Sequence, residues 1–233
     1  MNDLPRRLLA ETLGTALLVT IAVGSAVAAS SLSPDAGVQL LAASTTTALG
    51  LTVLILWLGP VSGAHLNPVV SLADWYLGRR HGTGIALSYV GPYAVAQCAG
   101  AIGGALLANA MFEVGAGLSA NDRASGAHLL AEVVATAGLV AVIFALVRSE
   151  RAALAAPAVG AWIGAAYWFT SSTSFANPAV TIGRVFTDTV AGIGPSSVAP
   201  FVAAQFIGLL VGVALTLALY PTPVPRAAEE ATR

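Results

Sequence analysis

Two copies of the dipeptide Asn-Pro stand 110 positions apart in this sequence, and each could both start a helix and offer a hydrogen-bond donor. Asn is a preferred helix N-cap, because its side-chain oxygen accepts hydrogen bonds from first-turn N–H groups, and Pro is pre-set for the first helical position. Such a cap leaves the amide NH2 group able to donate beside the positive end of the helix dipole. The two motifs, each with the residue that follows it, are Asn67, Pro68, Val69 and Asn177, Pro178, Ala179.

Each Asn-Pro pair begins a segment that is too short to cross a bilayer. The sequence predicts helices over 68–77 and 178–187, whereas a spanning helix needs about 20 apolar residues. A single Asn-Pro is usually an ordinary helix start at a protein surface. Two copies at equivalent places of a repeated sequence instead favour a pair of short helices that present Asn67 and Asn177 to water.

The composition is that of a membrane protein. Hydrophobic residues make up 57% of the 233 positions and charged residues 9%, with a mean hydropathy of +0.82. The net charge of -1 provides no basic surface for nucleic acid, so that class of partner is excluded. Cys98 is the single cysteine, and no cluster of ligating residues suggests a metal, so we expect neither a disulfide, a metal nor a cofactor.

Six apolar runs of bilayer length surround the two short segments. The run that follows Arg6 and Arg7 could be a secretory signal, but Glu11 near its start, with a counterpart later in the chain, argues against a cleaved peptide. The tail 221–233 is rich in Pro and Glu and is expected to be disordered. The predicted spans lie at about 8–29, 38–58, 85–111, 128–147, 152–171 and 197–219.

The two halves of the chain repeat each other. Glu11 aligns with Glu132, and Gln97 aligns with Gln205. The sequence therefore predicts two repeats, 1–115 and 128–220, each with three spans and one short helix. Because three is an odd number of spans, the second repeat is inverted relative to the first, and the short helices meet from opposite faces of the membrane.

The arginines predict the orientation of the chain in the membrane. If both termini are cytoplasmic, eight of the ten arginines lie inside, as the positive-inside rule requires for a protein of the cell (inner) membrane. Arg123 and Arg184 are then the two outside. Arg184 has two interpretations, a cationic rim at the outer mouth of a pore or an exposed pair with Asp188 at i+4, and the exposed pair is the simpler one.

The paired Asn-Pro helices, the stretch from Ser62 to Pro68, and the paired Glu and Gln residues resemble the aquaporin and aquaglyceroporin family. The resemblance covers about 4–220. It implies an all-α membrane protein with six transmembrane helices and two re-entrant half-helices. It also implies one pore per protomer, a homotetramer, and passive conduction of water and small uncharged solutes without enzyme activity.

The same resemblance assigns supporting roles to five polar residues. Glu11 and Glu132 accept hydrogen bonds from the backbone that leads into each half-helix, since carboxylates at membrane depth need partners. Gln97 and Gln205 fit the same supporting role. His65 lies on the cytoplasmic wall of the pore.

The residues of the outer selectivity filter depart from the family pattern. Members usually have Arg immediately after the second Asn-Pro-Ala, where this chain has Val180, and the family spacing puts the other filter positions at Thr47, Ala165 and Ser174. None is aromatic or charged, so we expect a wide filter of low polarity. A bacterial subgroup associated with arsenic resistance shares this Val, which implies passage of trivalent arsenic species, which are neutral polyols near pH 7.

A secondary transporter is the main alternative, because transporters also contain inverted repeats and broken helices. A transporter would normally show an ion-coordinating or titratable residue at each break. Both breaks in this sequence offer only Asn, Pro and small apolar residues. A membrane enzyme would need a nucleophile, base or metal constellation.

Overall fold

The structure is a computed structural model that describes residues 3–79, 82–115 and 117–221. All but the first residue of the tail predicted over 221–233 lies outside the described residues. The described chain folds into helices α1 (Leu4–Leu32), α2 (Ala36–Ser62), α3 (Pro68–Gly78), α4 (Leu87–Met111), α5 (Gly126–Arg148), α6 (Ala155–Phe169), α7 (Pro178–Gly183) and α8 (Pro195–Leu219), with 3-10 turns at Ala152–Leu154 and Arg184–Phe186.

Six segments are long and apolar enough to span a membrane, which confirms the predicted all-α class and the number of spans. Five of them are α1, α2, α4, α5 and α8. The sixth joins the 3-10 turn to α6 and runs from Ala152 to Phe169. The two short helices α3 and α7 are the half-helices that the Asn-Pro pairs predicted, and Asn67 and Asn177 are their N-caps.

The second half-helix is shorter than the predicted 178–187. Its α-helical part ends at Gly183, and a 3-10 turn continues to Phe186. The carbonyls of this turn bind groups from other parts of the chain. The Arg184 carbonyl accepts from Ile193 N, and the Val185 carbonyl accepts from Ser119 N, so the returning loop and the loop between α4 and α5 hold this segment in place of a further α-helical turn.

Close helix packing brings the half-helices into the centre of the fold. Helix α1 packs along α4 and α5 along α8, and glycines of α4 and α8 lie directly against the backbone of their partners. In the first pair, Thr20 Oγ1 donates to the Gly104 carbonyl at 3.0 Å. Because small residues allow backbones to approach, these contacts supply the packing that holds helices together in lipid.

Candidate functional site

The two half-helices are joined at their N-termini by reciprocal hydrogen bonds between the motifs. Asn67 Nδ2 donates to the Ala176 carbonyl at 2.8 Å, and Asn177 Nδ2 donates to the Leu66 carbonyl at 2.7 Å. The Oδ1 atom of each Asn meanwhile accepts from the first turn of its own half-helix. One N–H of each amide is therefore used across the motif, which the sequence did not indicate, and one remains for the adjoining cavity.

The loops that lead into the half-helices have unusual backbone conformations at equivalent positions. Before the first motif, Ala64 and Leu66 have φ of 46° and 52°, and before the second, Ser174 and Ala176 have φ of 53° and 49°. Non-glycine residues in this left-handed region cost about 1–3 kcal/mol each and persist only where surrounding contacts hold them. The loops thus require strong external support.

Buried carboxylates provide that support in both halves. Glu11 accepts from Ser62 Oγ and His65 N through Oε1, and from Leu66 N through Oε2. Glu132 repeats the pattern with Ser172 Oγ, Phe175 N and Ala176 N. Neither glutamate is exposed to solvent. Charged acceptors form stronger hydrogen bonds than neutral ones, which suits them to holding a strained loop.

One glutamine completes each carboxylate network. Gln97 Nε2 donates to Glu11 Oε2 at 2.8 Å and to Ser71 Oγ at 3.1 Å. Gln205 Nε2 donates to Glu132 Oε2 at 2.7 Å and to Thr181 Oγ1 at 2.9 Å. Each glutamine therefore links the loop support to the first turn of its half-helix.

Val69, the residue that departs from Asn-Pro-Ala in the first motif, is fully buried among apolar side chains. It packs with Ala73 on its own half-helix and with residues of α5 and α8. Its two additional methyl groups therefore fill a hydrophobic cluster beside the motif. Those partners from α5 and α8 are Val140, Phe144 and Leu209.

An inner cavity of about 60 Å³ extends outward from the two asparagines. One part of its wall is polar and another is apolar, and the Ser174 hydroxyl on the polar side is buried without a hydrogen-bond partner among the described residues. Three of the four predicted filter residues line it. The lining residues are Leu18, Ala22, Thr47, Leu51, Asn67, Ile163, Tyr167, Ser174, Phe175, Asn177, Val180 and Arg184.

The fourth predicted filter residue, Ala165, does not line this cavity. Ala165 is exposed, as are Ala161 and Trp168, which lie about one helical turn before and after it on α6. Ile163 and Tyr167 line the cavity instead. Because successive helical residues are about 100° apart, a position two residues from both Ile163 and Tyr167 faces the opposite side of α6. The prediction of Ala165 was wrong in register, and the corrected position is aromatic.

Arg184 is buried, and it does not form the exposed pair with Asp188 that the sequence favoured. Its Nε donates to the Ala191 carbonyl, and its guanidinium carbon lies 3.7 Å from the centroid of the Phe175 ring. Asp188 instead accepts from Ala120 N at 3.0 Å. The exposed pair fails because the 3-10 turn and the returning loop fold Arg184 inward.

An outer vestibule of about 160 Å³ adjoins the inner cavity. Arg123, from the loop between α4 and α5, faces it, and burial lowers the pKa of this arginine. No sequence pattern predicted a role for Tyr167, Phe175 or Arg123. Arg123 could have been found as the second arginine on the outer side, but the positions of Tyr167 and Phe175 depend on how α6 and the loop pack.

A larger vestibule of about 520 Å³ lies on the other side of the asparagines, and His65 lines it. His65 Nδ1 is 3.0 Å from Ser71 Oγ, and Nε2 is 3.8 Å from Asp74 Oδ2. The ring also lies edge-on to Tyr93. His65 is therefore held on a vestibule wall that the half-helix α3 helps to form.

Comparisons with known proteins match this arrangement. A family model described as major intrinsic protein matches residues 2–174. Aquaglyceroporin AqpS of Rhizobium meliloti is 46% identical over 214 residues, which cover 91% of this chain and 89% of the relative. The probable aquaporin AqpM of Archaeoglobus fulgidus is 30% identical over 244 residues, covering 93% of this chain and 96% of the relative.

A solved structure shares the fold. The X-ray structure of the aquaglyceroporin from Plasmodium falciparum superposes with a TM-score of 0.71 and covers 97% of this chain and 99% of that chain. The sequence identity is 18%, so this likeness concerns the fold alone.

Proposed function

The chain belongs to the major intrinsic protein family and is a channel for water and small solutes rather than an enzyme, and we propose that its solutes include glycerol-like polyols and trivalent arsenic hydroxides. The relative with 46% identity is named an aquaglyceroporin, which supports a polyol among the solutes. Trivalent arsenic hydroxide is a neutral molecule that carries several hydroxyls, as glycerol does, so one pathway suits both.

The main support for this proposal is the wall of the inner cavity, which is polar in one part and apolar in another. Asn67, Asn177 and Ser174 offer polar groups, while Leu51 and Ile163 offer apolar surface. A polyol has hydroxyls that need hydrogen-bond partners and carbons that do not, so such a wall stabilises it at several positions without holding it strongly. Thr47 and Val180 complete the part of the filter that the sequence predicted.

The experiment is a stopped-flow measurement on proteoliposomes that contain the purified protein. We expect water, glycerol and arsenite to cross faster than in protein-free liposomes, with fluxes that stay linear in the solute gradient. Urea serves as a further small neutral solute. Wild-type protein that accelerates water but neither glycerol nor arsenite would refute the polyol proposal.

The supporting residues have roles in this proposal as well. Glu11, Glu132, Gln97 and Gln205 keep the two loops in place so that Asn67 and Asn177 remain oriented, and His65 contributes to the cytoplasmic wall. Pro68 and Pro178 begin the half-helices, and Ala179 packs behind the second motif. The hydrogen bonds described above support these assignments.

We also infer that the channel is a homotetramer in the inner membrane with both termini in the cytoplasm. The tetramer rests on the family resemblance, and the orientation on the arginines at the cytoplasmic ends of the helices. Light scattering of the detergent-solubilised protein tests the tetramer. Reporter fusions at the C-terminus, one active in the cytoplasm and one in the periplasm, test the orientation.

A further inference from the structure

The inner cavity and the outer vestibule share three residues. Ala22, Tyr167 and Arg184 line both spaces, whereas Thr47, Ser174 and Val180 line only the inner one and Arg123 lines only the outer one. A solute that moves from one space to the other must therefore pass these three residues. Since Ala22 offers only a methyl group, the polar groups at the junction belong to Tyr167 and Arg184.

The loop after the second half-helix fixes the Arg184 guanidinium at this junction. The carbonyls of three consecutive residues, Val190, Ala191 and Gly192, accept from two arginines: Ala191 from Arg184, and Val190 and Gly192 from Arg123 at 2.7 Å each. The face of Arg184 lies on the Phe175 ring. A planar guanidinium held by a carbonyl and an aromatic face has one orientation, which a flexible lysine would not have.

Arg184 retains donors that can bind a solute. Among the described residues, its only hydrogen bond is from Nε, and no carboxylate pairs with it. The two terminal nitrogens therefore keep four N–H groups for the pathway. Across the junction, the Tyr167 hydroxyl is fixed by a 3.2 Å hydrogen bond with Thr47.

We propose that Arg184 is the selectivity arginine of this channel, delivered one helical turn beyond Val180, and that Arg184 and Tyr167 form its narrowest polar passage. A shift of four residues moves the backbone position that carries the arginine about 6 Å further along the half-helix axis. Val180 then leaves space behind the arginine, where a polyol that has bound Arg184 through a hydroxyl oxygen can pass towards Ser174. This inference rests on the proposed polyol function and names the residues that select the solute.

The first test compares Arg184→Ala with the wild type. Loss of the guanidinium widens the junction, so a larger solute gains more than water does. We expect the ratio of glycerol flux to water flux to rise about tenfold, which corresponds to about 1.4 kcal/mol. Arg151→Ala is the matched control, because it removes an exposed arginine from the loop between α5 and α6 and should leave the ratio unchanged.

The second test does not depend on how well the alanine variant folds. In a Cys98→Ala background, Arg184→Cys places a thiol at the junction, and a cationic methanethiosulfonate reagent attaches a positive group to it. We expect modification to return the glycerol-to-water ratio towards the wild-type value, and we expect glycerol to slow the reaction. A thiol that modifies without any change in flux would overturn the proposal, as would an Arg184→Ala variant with wild-type selectivity.

The two proposals fail in different ways. Wild-type protein that conducts water and no polyol would refute the polyol function, while modification of the Arg184→Cys thiol would still alter water flux if the arginine lies in the passage. Conversely, wild-type polyol flux with no effect of Arg184 would refute only the position of the selectivity arginine.

Discussion

Glu132 illustrates how one residue at membrane depth determines the shape of a loop. Both of its carboxylate oxygens accept from a backbone N–H, of Phe175 and of Ala176. In Glu132→Gln, the amide NH2 must therefore face a backbone donor in either orientation. We expect a loss of about 1–3 kcal/mol in stability and a reduced solute flux, because a buried donor loses its acceptor. Thermal unfolding in detergent measures the stability.

The control for this variant is Glu150→Gln, which changes an exposed glutamate between α5 and α6. It should unfold at the wild-type temperature. Equal stability of the two variants would mean that the hydrogen bonds to Glu132 do not stabilise the strained loop before the second half-helix.

Val180 lies where a larger side chain would reduce the space for solutes. Val180 is 6% exposed and lines the inner cavity, and Arg184 lies four residues further along, at the start of the 3-10 turn that follows the half-helix. Val180→Arg adds a second guanidinium that fills the space which we assign to the polyol. We expect glycerol and arsenite fluxes to fall about tenfold or more relative to water, a change of at least about 1.4 kcal/mol.

The comparison variant is Val180→Leu, which adds volume without charge or donors. It should reduce the glycerol flux less than Val180→Arg, with both fluxes normalised to folded protein in the same vesicles. An unchanged ratio of large-solute to water flux in Val180→Arg would show that Val180 lies away from the limiting passage.

At the scale of helices, glycines determine how closely the spans pack. A methyl group on Gly104 would collide with the carbonyl oxygen of Ala16 on α1, whereas a methyl group on the adjacent Gly103 would meet nothing within 4 Å. We expect Gly104→Ala to cost about 1–3 kcal/mol, since the backbones must separate to make room. Gly103→Ala should be neutral or slightly stabilising because alanine is the better helix former.

Thermal unfolding of the two alanine variants in the same detergent checks this prediction. The two glycines are adjacent on one helix, so they lie at nearly the same depth in the membrane and differ mainly in the side of the helix that they face. If Gly103→Ala is as destabilising as Gly104→Ala, the loss comes from contacts with lipid or detergent rather than from the packing of α1 on α4.

At the scale of the whole molecule, the two halves use the same hydrogen bonds to build one pathway. Glutamate, glutamine and the capping asparagine hold equivalent positions around each half-helix. We propose that 1–115 and 128–220 are inverted repeats, so that each half contributes one asparagine and neither could form the pathway alone.

The assembled pathway is expected to exclude cations although Val180 replaces the usual arginine. A potassium ion would lose its hydration shell without a cage of carbonyls to replace it, and it would meet Arg123 and Arg184 before it reached the asparagines. Purified protein in planar bilayers should carry no potassium current above background. Water flux from the same preparation verifies that the channels are active, and single-channel potassium currents would contradict the prediction.

Local patterns in the sequence predicted the helices of this protein and the equivalence of its two halves. Six apolar runs and two capped short helices follow from hydropathy and from Asn-Pro chemistry, which act locally along the chain. Donors to Glu11 and Glu132 were also expected, because a carboxylate at membrane depth must find partners, and the family resemblance implied that they lie in the backbone leading into each half-helix.

Which side chains meet between the inner cavity and the outer vestibule depends on tertiary packing. Ala165 and Tyr167 are two residues apart on α6, and they face opposite sides of the helix. A prediction that is wrong by two residues therefore selects the exposed side instead of the side that faces the cavity. For Arg184, the sequence offered Asp188, four residues further on, as the partner of an exposed ion pair. The hydrogen bond from Ser119 N to the Val185 carbonyl, which holds the turn that carries the arginine, joins residues that are distant in sequence. Such contacts depend on packing, which no local pattern in the sequence encodes.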